Sequence, residues 1–164
     1  MRILTAAVLL LAMFTGASAQ KHQSHGYWYV APGAASAHGF SDTTVHFGGG
    51  GEYAFPKGVG AGVELGAVGA TAAFRDTVIG VASANGYYHV TPGRWEKFDP
   101  FGTVGYSLLF RGGTANAVNY GAGMNYWFRP GLAARVEFRD HYGPKSQIHW
   151  WGFRFGLSFS ELWP

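Results

Sequence analysis

The sequence predicts an all-β protein, an eight-stranded antiparallel up-and-down transmembrane β-barrel. In residues 134–139 charged and apolar side chains alternate, and the same period of two recurs over residues 153–159 with an aromatic-rich face. A strand with ionised residues on one face and large apolar residues on the other fits a wall between lipid and a polar lumen. An export signal and regularly spaced turn residues support the same prediction.

The N-terminus resembles a secretory signal peptide. Arg2 is followed by an apolar run over residues 3–14 and by Ala17, Ser18 and Ala19, a small-residue pattern suited to cleavage before Gln20. That run is too short for a spanning helix, and no later segment offers about 18 uninterrupted apolar residues. We therefore expect a signal peptide at 1–19 and a barrel domain at 20–164, exported to the outer membrane of a Gram-negative bacterium.

Composition agrees with a single domain of curved strands. The chain of 164 residues has 26 glycines, 17% aromatic residues and only 13% charged residues, and its mean hydropathy of +0.01 suits a wall with one polar face. The absence of cysteine excludes disulfides and thiolate metal sites. A net charge of +3 is too small to indicate nucleic-acid binding.

Turn signals divide the mature chain into eight segments. We expect strands at 26–35, 43–55, 59–72, 77–91, 97–111, 116–129, 132–142 and 147–159. Tight periplasmic turns are predicted at 56–58, 92–95 and 129–131, where glycine and proline interrupt the pattern. The outward connections are then 36–42, 75–76, 112–115 and 143–146, all short. Short outward loops argue against a specialised adhesin, because recognition normally uses long loops.

The two faces of the predicted strands separate charge from lipid. Glu52 and Glu64 oppose apolar rows, and no charge near the middle of a strand is forced outward, where an Arg or Lys costs about 2–4 kcal/mol. The fourth strand gives no consistent face, and Leu109 is an apolar exception in a polar row. Aromatic residues near strand ends are predicted to form the periplasmic girdle: Tyr53, Phe55, Tyr126, Phe128 and Phe159.

The inward rows predict a network of buried charges in the lumen. Its predicted members are Glu52, Glu64, Arg111, Arg135, Glu137, Arg139 and Arg154. Arginine can bridge two carboxylates, so Glu137 with Arg135 and Arg139 is the expected centre. The network is either a packed plug that holds the barrel rigid or a gate that opens a narrow ion path. Inward glycines leave space that water could occupy, which keeps the channel possible.

Residues 119–142 resemble a known family. A glycine-rich strand, a tight turn and an Arg-x-Glu-x-Arg strand follow one another there, and they are similar to the penultimate hairpin of small OmpA-like outer-membrane β-barrel domains. The resemblance implies that Phe159 is the terminal aromatic residue read by the barrel-assembly machinery. We expect outer-membrane lipid and lipopolysaccharide as the surroundings and, from the small net charge, no nucleic acid; the oligomeric state is left open.

Catalysis, metal binding and a soluble fold are the alternatives. A lipid A-modifying enzyme would need a paired His and Ser, but the single His-x-Ser is His22-Gln23-Ser24, and His141 and His149 have only Ser146 nearby in sequence. The spacing of His22, His25 and His38 matches no closed metal site. An exported soluble barrel that binds a ligand in its lumen would need its apolar rows inside.

From these observations we expect an integral outer-membrane barrel with a structural role or limited passive permeability. We expect no catalytic residues, no metal and no cofactor.

Overall fold

A computed structural model describes residues 23–90 and 97–160, and within them eight antiparallel strands close into a barrel in sequential order. The first strand pairs with both the second and the eighth, which closes the sheet. The strands are β1 His25–Ala37, β2 Phe40–Ala54, β3 Val59–Ala70, β4 Ile79–His89, β5 Phe98–Phe110, β6 Thr114–Arg129, β7 Leu132–Gly143 and β8 Ile148–Phe159.

The strand prediction is confirmed, and the differences lie in the connections. The segment predicted as an outward loop over 36–42 is a turn of His38 and Gly39, because pairing of β1 with β2 continues to Ala37 and Phe40. A 3-10 turn at Thr71–Ala73 and a short helix, α1, at Phe74–Thr77 join β3 to β4. No helix within residues 23–90 and 97–160 is long and apolar enough to cross a membrane.

The turns at the end of the barrel where β1 begins and β8 ends follow the predicted chemistry. Pro56–Gly58 forms a 3-10 turn, in which Gly58 has a φ of 78°. Gly131 has a φ of 72° between β6 and β7, a conformation that favours glycine. The predicted turn at 92–95 and the signal peptide at 1–19 lie outside the described residues.

The outer surface of the barrel is apolar, and the lumen is largely polar. Leu65 is 67% exposed on the outer face, whereas its neighbour Glu64 is 2% exposed inside. The predicted girdle residues Tyr53, Phe55, Tyr126 and Phe128 are exposed large side chains of this outer face. This distribution is the one expected for a wall between lipid and a filled polar lumen.

Asp140 is an outward-facing carboxylate that the sequence interpretation did not consider. It lies near the end of β7, on the same face as Phe138, and is almost completely covered. The Tyr120 hydroxyl donates to Asp140 Oδ2 at 2.8 Å, and His149 Nδ1 lies 2.8 Å from the same oxygen. These two partners compensate a charge that would otherwise be costly on the outer surface.

Candidate functional site: the charged lumen

The middle of the lumen is built around Glu64. Arg154 approaches it with both terminal nitrogens, Nη1 at 2.7 Å from Oε2 and Nη2 at 3.1 Å from Oε1. The hydroxyls of Tyr27 and Tyr29 donate to the same carboxylate at 3.1 and 2.8 Å. Both Glu64 oxygens are therefore satisfied by charge-assisted hydrogen bonds, as a buried carboxylate requires.

Glu137 is the second centre, and it binds two arginines from its own strand. Arg135 donates from Nε and Nη2 to Oε2 at 3.2 and 2.9 Å, and Arg139 donates to Oε1. The spacing of two residues places all three side chains on the inner face of β7. Arg154 Nη1 also lies 3.6 Å from Glu137 Oε1, so one guanidinium contacts both carboxylates.

Polar and aromatic side chains complete the surroundings of the arginines. Arg139 Nη1 donates to Asn119 Oδ1 at 2.8 Å. The Arg135 guanidinium lies 4.3 Å from the ring centre of Tyr27 and 4.2 Å from that of Phe101, and stacking of this kind favours arginine over lysine. Charges that would be expensive in isolation are thus paired, hydrogen-bonded and covered.

The predicted member Glu52 lies in a different cluster, nearer the end where β1 begins and β8 ends. His89 joins two carboxylates there, with Nε2 at 2.8 Å from Glu52 Oε1 and Nδ1 at 2.6 Å from Asp99 Oδ1. His25 Nε2 lies 3.7 Å from Glu52 Oε2. Sequence reasoning missed His89 and Asp99 and considered His25 only as a candidate metal ligand, although each of the three falls on the inward parity of its strand.

Arg111 does not join the predicted network. It follows β5 at the opposite end of the barrel and is exposed. The other six predicted members, Glu52, Glu64, Arg135, Glu137, Arg139 and Arg154, are each at most 3% exposed. The sequence interpretation placed Arg111 by alternation alone, and alternation does not tell where a strand ends.

The inward glycines make room for large side chains. A Cβ atom added to Gly48 would lie 2.8 Å from the Tyr29 hydroxyl oxygen, and one added to Gly50 would lie 2.8 Å from that of Tyr27. At Gly123 the same atom would lie 2.7 Å from the Phe101 ring. The expectation that these glycines leave space for water is therefore wrong at these positions, because tyrosine and phenylalanine rings occupy it.

The described residues bring no serine within hydrogen-bonding distance of a histidine. Ser24 Oγ accepts from the Ala54 amide at 3.0 Å, and the Ser146 hydroxyl reaches the Gly143 carbonyl. His22 lies outside the described residues. Within residues 23–90 and 97–160 no group of three His, Asp or Glu side chains is arranged to hold a metal ion.

Comparisons with known proteins agree on one architecture. The family model described as outer membrane protein beta-barrel domain matches residues 6–159. No curated protein sequence matches significantly.

Solved structures of outer-membrane barrels superpose on almost the whole described barrel. Neisserial surface protein A has a TM-score of 0.71 at 13% identity, covering 84% of this chain and 96% of that one. The N-terminal β-barrel domain of Pseudomonas aeruginosa OprF has a TM-score of 0.62 at 16% identity, covering 87% and 98%. Ail, the attachment invasion locus protein of Yersinia pestis, has a TM-score of 0.59 at 12% identity, covering 85% and 99%. At these identities the likeness shows the fold alone.

Proposed function

Because the chain belongs to the outer membrane protein beta-barrel domain family, and so is an outer-membrane protein, we propose that it is a structural barrel whose lumen is sealed by its Arg/Glu network. Passive permeability is at most very limited in this proposal. Lipid and lipopolysaccharide surround the wall, and the barrel-assembly machinery recognises Phe159 during insertion. The protein performs no catalysis.

The continuous chain of ion pairs across the lumen is the observation that supports sealing. Arg154 contacts Glu64 and Glu137, and Glu137 in turn binds Arg135 and Arg139. All five side chains are buried, at most 2% exposed. An eight-stranded barrel is only wide enough for side chains to fill its interior, so a network of this size supports a lumen without a continuous path for solutes.

A gate is the second candidate, and the position of Arg154 favours it. Its Nη1 lies 2.7 Å from a Glu64 oxygen and 3.6 Å from a Glu137 oxygen, so a small movement exchanges its principal carboxylate. Such an exchange would leave the total charge of the network unchanged. It would open a narrow ion path only transiently, and this candidate therefore predicts brief conductance events rather than a steady current.

Conductance in planar lipid bilayers tests both candidates. For a sealed barrel we expect no steady current from the wild-type protein at any applied voltage. Arg154→Ala removes the side chain that links the two carboxylates, so we expect current in that variant. Arg111→Ala is the matched control, because Arg111 lies outside the network, and it should stay silent.

The outcomes separate the candidates. A steady ohmic current through the wild-type protein would contradict sealing. Brief wild-type openings that disappear in Glu137→Gln would support the gate. Swelling of liposomes in sugars of increasing size would then give the diameter of the path.

A further inference from the structure

The end of the lumen where β1 ends and β8 begins contains an apolar cavity, here called the cup. Its volume is about 550 Å³, and it opens at the mouth of the barrel. Side chains from all eight strands or their ends line it, among them Val68, Ile79, Leu109, Ala117, Ile148 and Trp150. Cavities that bind small molecules measure about 300–1,000 Å³ and are mostly apolar with a few polar groups.

The cup accounts for two irregularities in the sequence. Leu109 is the apolar exception in the inward row of β5, and it lines the cup. In β4 the inward row changes from Ile79 and Val81 to Ser83 and Asn85, because it passes from the cup into the charged middle of the lumen. If these inward residues only filled a polar plug, we would expect them to stay polar along the whole strand.

The floor of the cup carries a polar group without a hydrogen-bond partner. Thr44 is 7% exposed, and its hydroxyl oxygen makes no hydrogen bond to any described residue. The buried His141 ring lines the same floor and stacks on Trp150 with ring centres 4.3 Å apart. Buried polar atoms are normally satisfied, so a buried hydroxyl that faces a cavity without a partner indicates a missing one.

The charges below the floor favour a negative partner. A void of about 10 Å³ lies beneath the cup, and Thr44, His141, Arg139 and Arg154 line it. The lining of this void contains those two guanidinium groups and no carboxylate, although Glu64 and Glu137 pair with the same arginines. On the side of the cup the arginines therefore attract an anionic acceptor group more than a cation.

We propose that the cup binds a small apolar molecule that carries one carboxylate or similar anionic acceptor. Its apolar body lies against the aliphatic wall and Trp150, and its head group accepts from the Thr44 hydroxyl and the His141 ring. This site goes beyond the structural role proposed above. It does not depend on whether the lumen conducts, since binding and conductance are measured separately.

Nuclear magnetic resonance of the methyl-labelled protein in lipid nanodiscs tests the proposal. Phenylacetate is the probe, and benzylamine is the control, because it presents the same ring with the opposite charge. We expect phenylacetate to shift the methyl signals of Val68, Ile79 and Leu109 saturably, with benzylamine at least tenfold weaker. Equal responses to the two probes, or non-saturating shifts that are as large for the outward Leu65 and Val63, would overturn it.

Variants locate the site. Thr44→Val keeps the side-chain shape but removes the hydroxyl, so the affinity for phenylacetate should fall roughly five- to tenfold. Ala117→Phe fills the cup from β6 and should abolish binding, while Val118→Phe adds the same ring to the outer face and should leave it unchanged. Ala35→Leu fills the cup from β1 and replaces Ala117→Phe if that variant fails to fold. Unaltered binding in the filled variants contradicts the site.

Discussion

At the scale of single residues, the stability of the lumen depends on buried charges whose partners cannot be replaced by water. Glu137 is 1% exposed and accepts from Arg135 and Arg139 on either side. Removing one member of a buried ion pair leaves the other charge buried without compensation, and this cost exceeds the net contribution of the intact pair. The stability of the barrel should therefore be more sensitive to Glu137 than to any charge at the rim.

Glu137→Gln should destabilise the folded barrel by about 3–5 kcal/mol, because Arg135 and Arg139 lose their shared carboxylate. The free energy of unfolding in urea, measured in lipid vesicles, gives this value. Arg111→Gln is the control, since Arg111 is exposed, and it should change stability by less than about 0.5 kcal/mol. Equal stability of Glu137→Gln and the wild-type protein would contradict the role of Glu137 as a stabilising centre of the network.

At the scale of elements, β2 shows how a strand accommodates a filled lumen. It carries four consecutive glycines, Gly48–Gly51, of which Gly48 and Gly50 face inward. The hydroxyls of Tyr29 and Tyr27 occupy the space above these two glycines. Gly51 points outward, and an added Cβ would meet nothing within 4 Å.

The neighbouring pair Gly50 and Gly51 gives a matched test of this packing. Gly50→Ala should destabilise the barrel by about 1–3 kcal/mol, because its Cβ would press on the Val63 carbonyl and the Tyr27 hydroxyl. Gly51→Ala should cost less than about 1 kcal/mol. Thermal unfolding, followed as the loss of the compact band on unboiled gels, compares them. Similar losses of stability in both variants would mean that the conformational freedom of glycine matters here, and not the space that Gly50 leaves for the Tyr27 side chain.

At the scale of the whole molecule, the barrel is a closed sheet with its apolar side outward. Pairing of β1 with β8 leaves no open edge, so backbone groups in the wall are satisfied within the sheet, as a lipid environment demands. The outer face of β3 runs from Val59 at the start of the strand to Leu65 in its middle. These positions differ in their expected depth in the membrane.

Arginine placed at these two positions should report that depth. Leu65→Arg should destabilise the folded barrel by about 2–4 kcal/mol, and Val59→Arg by about 0–1 kcal/mol, because a buried guanidinium costs most at the bilayer midplane. Urea unfolding in vesicles measures both values. Equal costs at both sites would contradict the assignment of the outer face of β3 to the lipid.

Much of the fold could be read from the sequence because the wall imposes a period of two. All eight strands were located within a few residues, and the inward parity of Glu64, Glu137 and Arg154 followed from alternation alone. The predicted place of Arg111 in the network was wrong, because alternation tells which face of a strand a residue lies on but not how far along the barrel axis it lies. The role of His89 was missed because its partners Glu52 and Asp99 come from β2 and β5, and no local pattern relates them.

The sequence by itself determined that the chain forms a membrane wall. Lipid on one side and a polar lumen on the other require apolar and polar side chains to alternate along each strand. The sequence also determined that Glu64, Glu137 and Arg154 face inward. Only the tertiary structure decided how those charges pair, since Arg154 and Glu64 lie 90 positions apart and meet through closure of the barrel. Closure likewise decided that tyrosine rings pack over the inward glycines and that all eight strands together form the cup, because both depend on how residues from different strands align along the barrel axis.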